Sequence, residues 1–375
     1  MSSTAALKLA VRINSYGIKN IAVADRARIQ ILRAGGSSSV NANNTAMIYT
    51  ADIGVGSPET YYTLLVDTGS SLTWIGANKP YKQTNTSHDT RNQFYIAYAG
   101  GSSIEGEEYT DTVTLNSDLV IANQSFGVTS ASAASTMRGL DGILGLGPVG
   151  LTQGVVSNTY EVATVMDNLH AQKKISSEVL GVFFAPASSN DTNGELTFGG
   201  HDASKITGDI SYVSITSTSP ANSYWGINQS ISYGSMTILN ETAGIVDTGT
   251  TLILIATDAF DKYKSATGAT LDESTELLKI SSEQYNQLSS LYFTTGEVTY
   301  ELTPNGQIWP RSLNHVIGGT TDGIYLVISD IGSDSGSGLD FTNGYCFLER
   351  FYSVYDTTNS RVGFATTEYT YATTN

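Results

Sequence analysis

The sequence predicts a mainly β protein of two related, β-rich lobes with few short helices. Its 375 residues exceed the roughly 250–300 at which one hydrophobic core stops growing, so two cores are expected. Short runs of β-branched and aromatic residues alternate with Gly, Asn, Asp and Ser along most of the chain, which is typical of strands joined by turns. A nine-residue pattern also recurs 180 residues further on, which indicates an internal duplication.

A basic arm opens the chain ahead of a strongly acidic body. Residues 1–46 carry six basic side chains against one acid, Asp25, whereas the whole chain has a formal net charge of −16. The arm and the body should therefore attract each other. Residues 7–13 alternate like a strand, and residues 18–32 place apolar side chains at helical spacing with arginines between them.

A glycine- and serine-rich hinge at residues 35–39 separates the arm from the body. Such a hinge is flexible, polar and open to proteolytic nicking. We therefore predict three units, namely a detachable segment at residues 1–40, a first lobe at residues 41–212 and a second lobe at residues 213–375.

The predicted elements of the body are mostly short strands. These strands cover residues 61–66, 94–98, 111–115, 181–184, 194–198, 210–215, 325–328 and 352–355. The predicted helices cover residues 161–170, 257–267 and 281–291, the last of which opens with a Ser-Ser-Glu-Gln capping signal.

Composition excludes several kinds of partner and site. The excess of 35 acidic over 19 basic residues disfavours nucleic acids and anionic membranes as partners. No stretch approaches the ~18–20 apolar residues of a transmembrane helix, so we expect no membrane partner. The single cysteine, Cys346, excludes an intramolecular disulfide and has no Cys or His at metal-site spacing. We therefore expect a buried free thiol and neither a metal nor another cofactor.

The repeated pattern places an aspartate at the end of an apolar strand in each lobe. The first copy contains Asp67, Thr68, Gly69 and Ser70, and the second contains Asp247, Thr248, Gly249 and Thr250. In both copies the glycine lets other backbone approach the carboxylate closely, and the hydroxyl after it can hydrogen-bond that carboxylate. One such turn is ordinary in a β protein, but two copies in matching apolar contexts predict a pair of carboxylates.

Pairing of Asp67 with Asp247 around a pseudo-twofold axis suits acid–base catalysis. Two like charges in a partly desolvated cleft cannot both ionise, so the pair shares a proton and offers one base and one acid. A water held between the carboxylates is then activated without a metal or a covalent nucleophile. Hydrolysis of an amide bond is the predicted reaction.

Further motifs in the body carry a family resemblance. They are Trp74 after the first Asp-Thr-Gly turn, Asp-Gly-Ile-Leu-Gly-Leu-Gly at residues 141–147, Tyr224-Trp225, and residues 347–356 with 361–365. On these motifs and both turns, the chain resembles the pepsin-like aspartic endopeptidases over about residues 45–375, and most of all those of basidiomycete fungi.

The resemblance implies a bilobal acid protease fold with a long cleft under a hairpin flap. Flap and substrate-binding residues implied in this way are Tyr98, Gly100, Gly101, Trp74, Ile143 and Tyr224. In the family the flap tyrosine hydrogen-bonds the tryptophan and closes over the substrate. No acid follows Tyr98 directly, so the carboxylate that would bind a lysine of the substrate beside the scissile bond is missing. Large hydrophobic residues are therefore expected on both sides of that bond. The implied partners are extended protein and peptide substrates and pepstatin-like inhibitors.

The basic arm resembles the family's propeptide, which would make the chain a zymogen. In such propeptides a basic side chain meets the catalytic carboxylates at neutral pH, and acidification weakens the pairs. The lysine expected late in the segment is missing from residues 34–46. Lys19, Arg33 or a water is therefore expected to take its place.

The resemblance also implies a secreted, extracellular monomer. Residues 1–6 lack a basic stretch followed by a long apolar run, so we expect no signal peptide there. Candidate glycosylation sites are the sequons at Asn43, Asn85, Asn123, Asn190, Asn228 and Asn240. Two alternatives are a pepsin-fold protein that binds peptides or an inhibitor without cleaving them, and an acidic structural protein of a cell wall. Both intact Asp-Thr-Gly turns argue against them.

Overall fold

The computed structural model describes residues 4–13, 20–34, 47–97, 103–129, 137, 139–188 and 193–375. Strands dominate these residues and the helices are short, which confirms the mainly β class. The strands of the first half are β1 (Ala5–Ile13), β2 (Met47–Val55), β3 (Thr60–Asp67), β4 (Trp74–Ile75), β5 (His88–Ala97), β6 (Ser103–Thr114), β7 (Val120–Thr129), β8 (Gly142–Gly145), β9 (Val179–Phe183), β10 (Asn193–Phe198) and β11 (Ser211–Ser214).

The second half continues the β architecture. Its strands are β12 (Gly226–Tyr233), β13 (Met236–Val246), β14 (Ile253–Ile255), β15 (Thr270–Leu271), β16 (Leu278–Ile280), β17 (Leu291–Thr295), β18 (Val298–Leu302), β19 (Ile324–Tyr325), β20 (Ile328–Asp330), β21 (Phe341–Asn343), β22 (Phe351–Asp356) and β23 (Arg361–Thr366). The α-helices of the described residues are α1 (Ile21–Arg33), α2 (Val165–Ala171), α3 (Thr257–Thr267), α4 (Ser282–Asn286) and α5 (Tyr345–Leu348).

The largest sheet among the described residues has 13 strands and joins both halves of the chain. Its order is β11-β23-β22-β9-β10-β1-β2-β3-β8-β4-β7-β6-β5. The arm strand β1 lies inside this sheet, antiparallel to β10 on one side and to β2 on the other. Because a strand in this position has partners for its backbone groups on both edges, β1 is an integral part of the sheet.

Each aspartate turn follows a strand that lies beside a parallel neighbour. β3 pairs with β8 in parallel, and β13 pairs with β21 in the same way. β13 and β21 belong to a seven-stranded sheet of order β18-β17-β12-β13-β21-β14-β20. Strands covered on both faces have near-continuous apolar sequences, as residues 64–66 and 245–246 do. The sequence repeat therefore has a repeated structural setting.

Helix α1 of the arm buries charged as well as apolar side chains on one face. Its buried positions are Ile21, Ala22, Asp25, Arg28, Ile29 and Leu32, so two charged side chains share the buried face with four apolar ones. Charged side chains are rarely buried without partners. The partners of Asp25 and Arg28 therefore indicate what this helix does.

Two predicted helices are shorter than the sequence pattern indicates. α2 begins after Thr164 instead of at residue 161, because Thr164 and Asp167 form a capping box that starts the helix there. α4 has the predicted capping box at Ser281, but it ends at Asn286, and the chain has entered β17 by residue 291.

Three further observations concern the described residues. Cys346 is buried and free, as the sequence predicts. In the described ranges no helix combines the length and the apolar character that crossing a membrane requires. The same ranges contain no group of His, Cys, Asp or Glu side chains arranged to hold a metal ion.

A candidate active site between two aspartate turns

Asp67 and Asp247 are each placed by a buried apolar strand. Asp67 is the last residue of β3 and Asp247 directly follows β13, and neither has any exposed surface. The Asp67 carbonyl accepts a hydrogen bond from Leu146 at 2.8 Å, and the Asp247 amide donates one to Asn343 at 3.1 Å. Both aspartates are thus fixed to the ends of neighbouring strands, which hold side chains more firmly than loops do.

The two carboxylates have matching hydrogen bonds within their own turns. Gly69 N donates to Asp67 Oδ1 at 3.0 Å, and Ser70 Oγ donates to Asp67 Oδ2 at 2.5 Å. Gly249 N donates to Asp247 Oδ1 at 3.0 Å, and Thr250 Oγ1 donates to Asp247 Oδ2 at 2.6 Å. Each carboxylate is therefore oriented by one backbone amide and one hydroxyl.

The threonines of the two turns bind each other's backbone. Thr248 Oγ1 accepts from Thr68 N at 2.9 Å and donates to Val66 O at 3.1 Å. In return, Thr68 Oγ1 accepts from Thr248 N at 3.0 Å and lies 3.5 Å from Val246 O. These reciprocal bonds hold the two aspartates in one site.

Replacing Thr248 with valine is expected to destabilise the protein. Valine has nearly the shape of threonine, but it leaves the buried Thr68 amide and Val66 carbonyl without their partner, at a cost of about 2–4 kcal/mol. The measurement is the urea midpoint at neutral pH. Thr248→Ser keeps the hydroxyl and should stay near the wild-type midpoint. Equal midpoints for Thr248→Val and the wild type would contradict a structural role for these bonds.

Gly69 marks where one turn reaches the other carboxylate. A Cβ on Gly69 would lie 2.6 Å from Asp247 Oδ1 and 2.3 Å from the Nη2 atom of Arg28. No real side chain tolerates such contacts, so this position accepts only glycine while the two turns and the arm keep these positions.

Arg28 of the arm lies between the two carboxylates. Its Nε atom donates to Asp247 Oδ2 at 2.8 Å, and its Nη2 atom donates to Asp67 Oδ1 at 2.7 Å and to Asp247 Oδ1 at 3.1 Å. The side chain of Arg28 is 5% exposed and those of both aspartates are 0% exposed. One nitrogen thus bridges both carboxylates, which are close enough to act on one small molecule.

The arginine affects the two aspartates unequally. Burial raises the pKa of Asp67 above its ordinary value, although the Arg28 charge opposes this effect. Burial acts on Asp247 in the same direction, but the Arg28 charge and hydrogen bond, with those of Thr250 and Gly249, outweigh it and hold its pKa below the ordinary value. The difference follows the geometry, because Arg28 makes two hydrogen bonds to Asp247 and one to Asp67.

A second charged residue of α1 also enters the site. Asp25 Oδ2 accepts hydrogen bonds from Leu252 N at 2.8 Å and from Thr251 N at 3.2 Å. Burial raises the pKa of Asp25 to about 7, and the nearby Asp247 charge adds to this effect, whereas the two amides and Arg28 oppose it. The arm thus contacts the second aspartate turn at two points, one turn of helix apart.

In the described part of the chain, the other predicted site residues donate no hydrogen bond to the two carboxylates. Arg33 does not reach the carboxylates, and it donates to Leu339 O at 2.7 Å instead, because it lies more than one helical turn beyond Arg28. Tyr224 donates to Leu32 O of the arm at 3.0 Å. Trp74 and Ile143 are fully buried and pair between β4 and β8. The predicted residues Lys19, Asn43, Tyr98, Gly100, Gly101 and Asn190 lie outside the described residues.

Arg28 and Asp25 enter the site although they are not among the residues predicted from the sequence. The signal was present, since Asp25 and Arg28 stand at the same helical spacing as Ile21, Ile29 and Leu32. Charged residues at the apolar positions of an amphipathic helix indicate specific buried partners.

Comparisons with known proteins agree on one family. The family model described as "Eukaryotic aspartyl protease" matches residues 48–367. The chain is 58% identical over 343 residues to polyporopepsin of Irpex lacteus, an alignment that covers 90% of this chain and 100% of polyporopepsin. It is 30% identical over 336 residues to gastricsin of Cavia porcellus, with 85% of this chain and 80% of gastricsin covered.

A solved structure is similar over the whole chain. It is the crystal structure of an aspartic proteinase from Irpex lacteus, with a TM-score of 0.86, 52% sequence identity and 100% coverage of both chains. This similarity confirms the predicted bilobal acid protease fold.

Proposed function

Because the chain belongs to the eukaryotic aspartyl protease family, and is therefore an aspartic-type endopeptidase, we propose that Asp67 and Asp247 hydrolyse the peptide bond and that the arm blocks them. The observation that carries this proposal is the Arg28 guanidinium, which donates to both buried carboxylates. We further propose residues 1–40 as the propeptide and residues 41–212 and 213–375 as the two lobes.

The proposed reaction needs only the two carboxylates and a water. One proton is shared by the pair. The ionised carboxylate takes a proton from the water while the water oxygen attacks the carbonyl carbon of the substrate. The protonated carboxyl gives its proton to the carbonyl oxygen, which produces a tetrahedral diol. A proton then passes to the amide nitrogen, the carbon–nitrogen bond breaks, and an acid and an amine leave. Gly69, Ser70, Gly249 and Thr250 keep both carboxylates in position throughout.

The arm blocks this reaction by occupying the place of the water. A guanidinium nitrogen 2.7 Å from Asp67 and 3.1 Å from Asp247 leaves no room there for water or a scissile carbonyl. β1 holds the arm from its other end, through its two sheet neighbours and an ion pair between Lys8 and Glu195. Release of the arm therefore requires both the buried ion pairs and the strand pairing to break.

Acid favours release through Asp247. The pKa of Asp247 in the blocked site is below the ordinary value of an aspartate. Its pairing with Arg28 therefore stabilises the docked arm at pH values above that ordinary pKa. This stabilisation is lost as the pH falls through the depressed pKa. Among the three acids around Arg28, Asp247 is thus the one whose protonation favours an acid-activated zymogen.

Replacing Asp25 with asparagine is expected to remove a pH dependence of arm docking whose sign is opposite to that of the Asp247 contribution. The pKa of Asp25 is about 7 in the docked arm and should be near the ordinary ~3.9 once the arm is free, so acidification from about pH 7 to about pH 4 favours docking. The charges of Asp247 and Arg28 also act on this carboxyl. In the wild type, trypsin should cut the arm about tenfold faster at pH 8 than at pH 6, after correction for trypsin's own pH profile.

The Asp25→Asn arm should be cut at nearly the same corrected rate at both pH values, because asparagine can accept the same two backbone hydrogen bonds without charge. A variant that keeps the full wild-type pH dependence would show that Asp25 does not cause it.

Several proposed properties rest on the family more than on geometry. We propose large hydrophobic residues around the scissile bond, a closing flap with Tyr98, inhibition by pepstatin-like compounds, secretion and a monomeric state. Exposure of the sequons at Asn85, Asn123, Asn228 and Asn240 supports glycosylation, and therefore secretion. The Asn228 side chain also accepts a hydrogen bond from Thr216 Oγ1 at 2.7 Å, so its occupancy competes with that bond.

Acidification of the full chain tests the proposed function. The pH is lowered from about 7 to about 3.5, across the usual pKa of carboxylic acids, while intact mass and a quenched peptide with two hydrophobic residues at its centre are followed. We expect loss of about 35–47 N-terminal residues by cleavage in or near the glycine- and serine-rich segment at residues 35–39, followed by pepstatin-sensitive cleavage. Release of the arm without cleavage would favour a peptide-binding protein instead.

A further inference from the structure

A second arginine of helix α1 lies between two acids on the second half of the chain. The Arg26 guanidinium reaches Glu276 Oε2 at 3.3 Å through Nη2 and Asp330 Oδ2 at 3.9 Å through Nη1. The three side chains are 30%, 32% and 22% exposed, so the site is partly shielded from solvent. One planar cation thus connects two separate carboxylates.

The carboxylate of Asp330 is oriented for this contact before any cation arrives. Its Oδ1 atom accepts hydrogen bonds from Thr257 Oγ1 at 2.6 Å and from Gly332 N at 2.8 Å. The other oxygen, Oδ2, is the one that faces Arg26. An anchored carboxylate loses less freedom when it binds a cation, so the pairing costs less.

The backbone beside Asp330 lies next to the aliphatic stem of Arg26. Gly332 has a φ of +86°, and a Cβ added there would be 3.4 Å from Arg26 Cδ. The aliphatic stem of Arg26 therefore passes over a residue that has no side chain. The site fits the stem of a basic residue as well as its charge.

Departure of the arm leaves both acids without this cation. Within the described ranges, the only ion pairs of Glu276 and Asp330 are those with Arg26. We propose that Glu276 and Asp330 form a subsite that binds a basic residue of the substrate, an inference that rests on the proposed function because it concerns the same cleft. The arm fills this subsite in the same way that it fills the catalytic centre.

Arginine should be bound better than lysine. The two carboxylates contact different terminal nitrogens of one guanidinium, and a lysine ammonium is a single point charge that cannot reach both in this way. The subsite is distinct from the place of the scissile bond, because Arg26 and Arg28 occupy separate positions in one helix. A basic residue near the scissile bond is thus compatible with hydrophobic residues directly beside it.

The test is an arginine scan with the acidified full chain. A parent peptide has two hydrophobic residues at the scissile bond and glutamine elsewhere, and one arginine is moved through four positions on each side. Cleavage is measured at about pH 5.5, where ordinary carboxylic acids are ionised. Binding of versions with a reduced, uncleavable central bond is measured by calorimetry. The enzymes are the wild type, Glu276→Gln, Asp330→Asn, the double variant and Glu273→Gln, an exposed acid of the same hairpin.

We expect one position at which arginine raises kcat/KM about three- to tenfold over glutamine, as two partly exposed ion pairs predict. Within the double variant this ratio should fall to about one, and in Glu273→Gln it should match the wild type. Lysine should give a smaller ratio, and added salt should reduce all of them.

The ratio of affinities for the arginine and glutamine versions of the uncleavable peptides separates this inference from the proposed function. Arginine-selective binding that the double variant loses, without cleavage of the parent, supports the subsite and overturns the protease. Cleavage of the parent with no arginine preference at any position, or a preference that persists in the double variant, overturns the subsite.

Discussion

Asp67→Asn is expected to lower kcat for peptide-bond hydrolysis by at least about 10⁴-fold, the usual loss when a catalytic group is removed. The amide keeps one oxygen for the hydrogen bond from Gly69 N, and its NH2 group can donate to the Ser70 hydroxyl, so the turn should stay folded. It cannot share the proton that a carboxylate pair must pass between water and substrate. The measurement is kcat with the quenched peptide, after the arm has been removed by a trace of the wild-type enzyme that is then inhibited and separated.

A matched substitution controls for the loss of one negative charge. Asp261→Asn changes an exposed aspartate of α3, outside the site, and should retain the wild-type kcat. Asp247→Asn should behave like Asp67→Asn, because the two residues act as one pair. Retention of more than about a hundredth of the wild-type kcat in Asp67→Asn would contradict its role in the reaction.

Arg28→Gln is expected to release the arm at a higher pH than the wild type does. The substitution removes the cation from two buried carboxylates and leaves their charges uncompensated, which costs about 3–5 kcal/mol. At about pH 5.5 the arm should therefore leave roughly 10²- to 4 × 10³-fold faster, which intact mass against time measures directly. Pepstatin should bind the variant at a pH at which the wild type is still blocked.

Two variants show whether the effect is specific to this arginine. Arg28→Lys keeps the charge but cannot make the three forked hydrogen bonds, so its release rate should lie between those of Arg28→Gln and the wild type. Arg33→Gln removes a cation that bonds only a carbonyl in the described contacts, and it should change release little. A larger effect from Arg33→Gln than from Arg28→Gln would contradict the assignment of Arg28.

Local patterns predicted much of this fold because local chemistry decides it. The alternation at residues 7–13 became β1, and the amphipathic pattern at residues 257–267 became α3 with the predicted bounds. The predicted strand at residues 325–328 was wrong in one respect, because two short strands, β19 and β20, divide it between different sheets. Apolar sequence alone does not state which sheet a segment joins.

The carboxylate pair was predictable for a different reason. A repeated turn with the same flanking residues implies the same environment twice, and two equivalent carboxylates meet on a pseudo-twofold axis. The identity of the blocking residue was not predictable in this way. Whether Arg28 or Arg33 reaches the site depends on how deeply α1 lies in the cleft, and that depth is set by the packing of Ile29 and Leu32. Such packing is a tertiary property that helical spacing does not contain.

The central place of β1 has a consequence for the order of folding. β1 pairs Ala5 with Phe198, so the middle of the largest sheet joins the start of the chain to a segment about a lobe away. Contacts of such high sequence separation cost loop entropy before they stabilise anything, and they form slowly. During synthesis, the pairing of residues 5–10 must therefore wait for β10. A chain that has lost its arm lacks the strand that pairs with both β2 and β10. Its stability is then kinetic, because it depends on slow unfolding and not on the ability to refold.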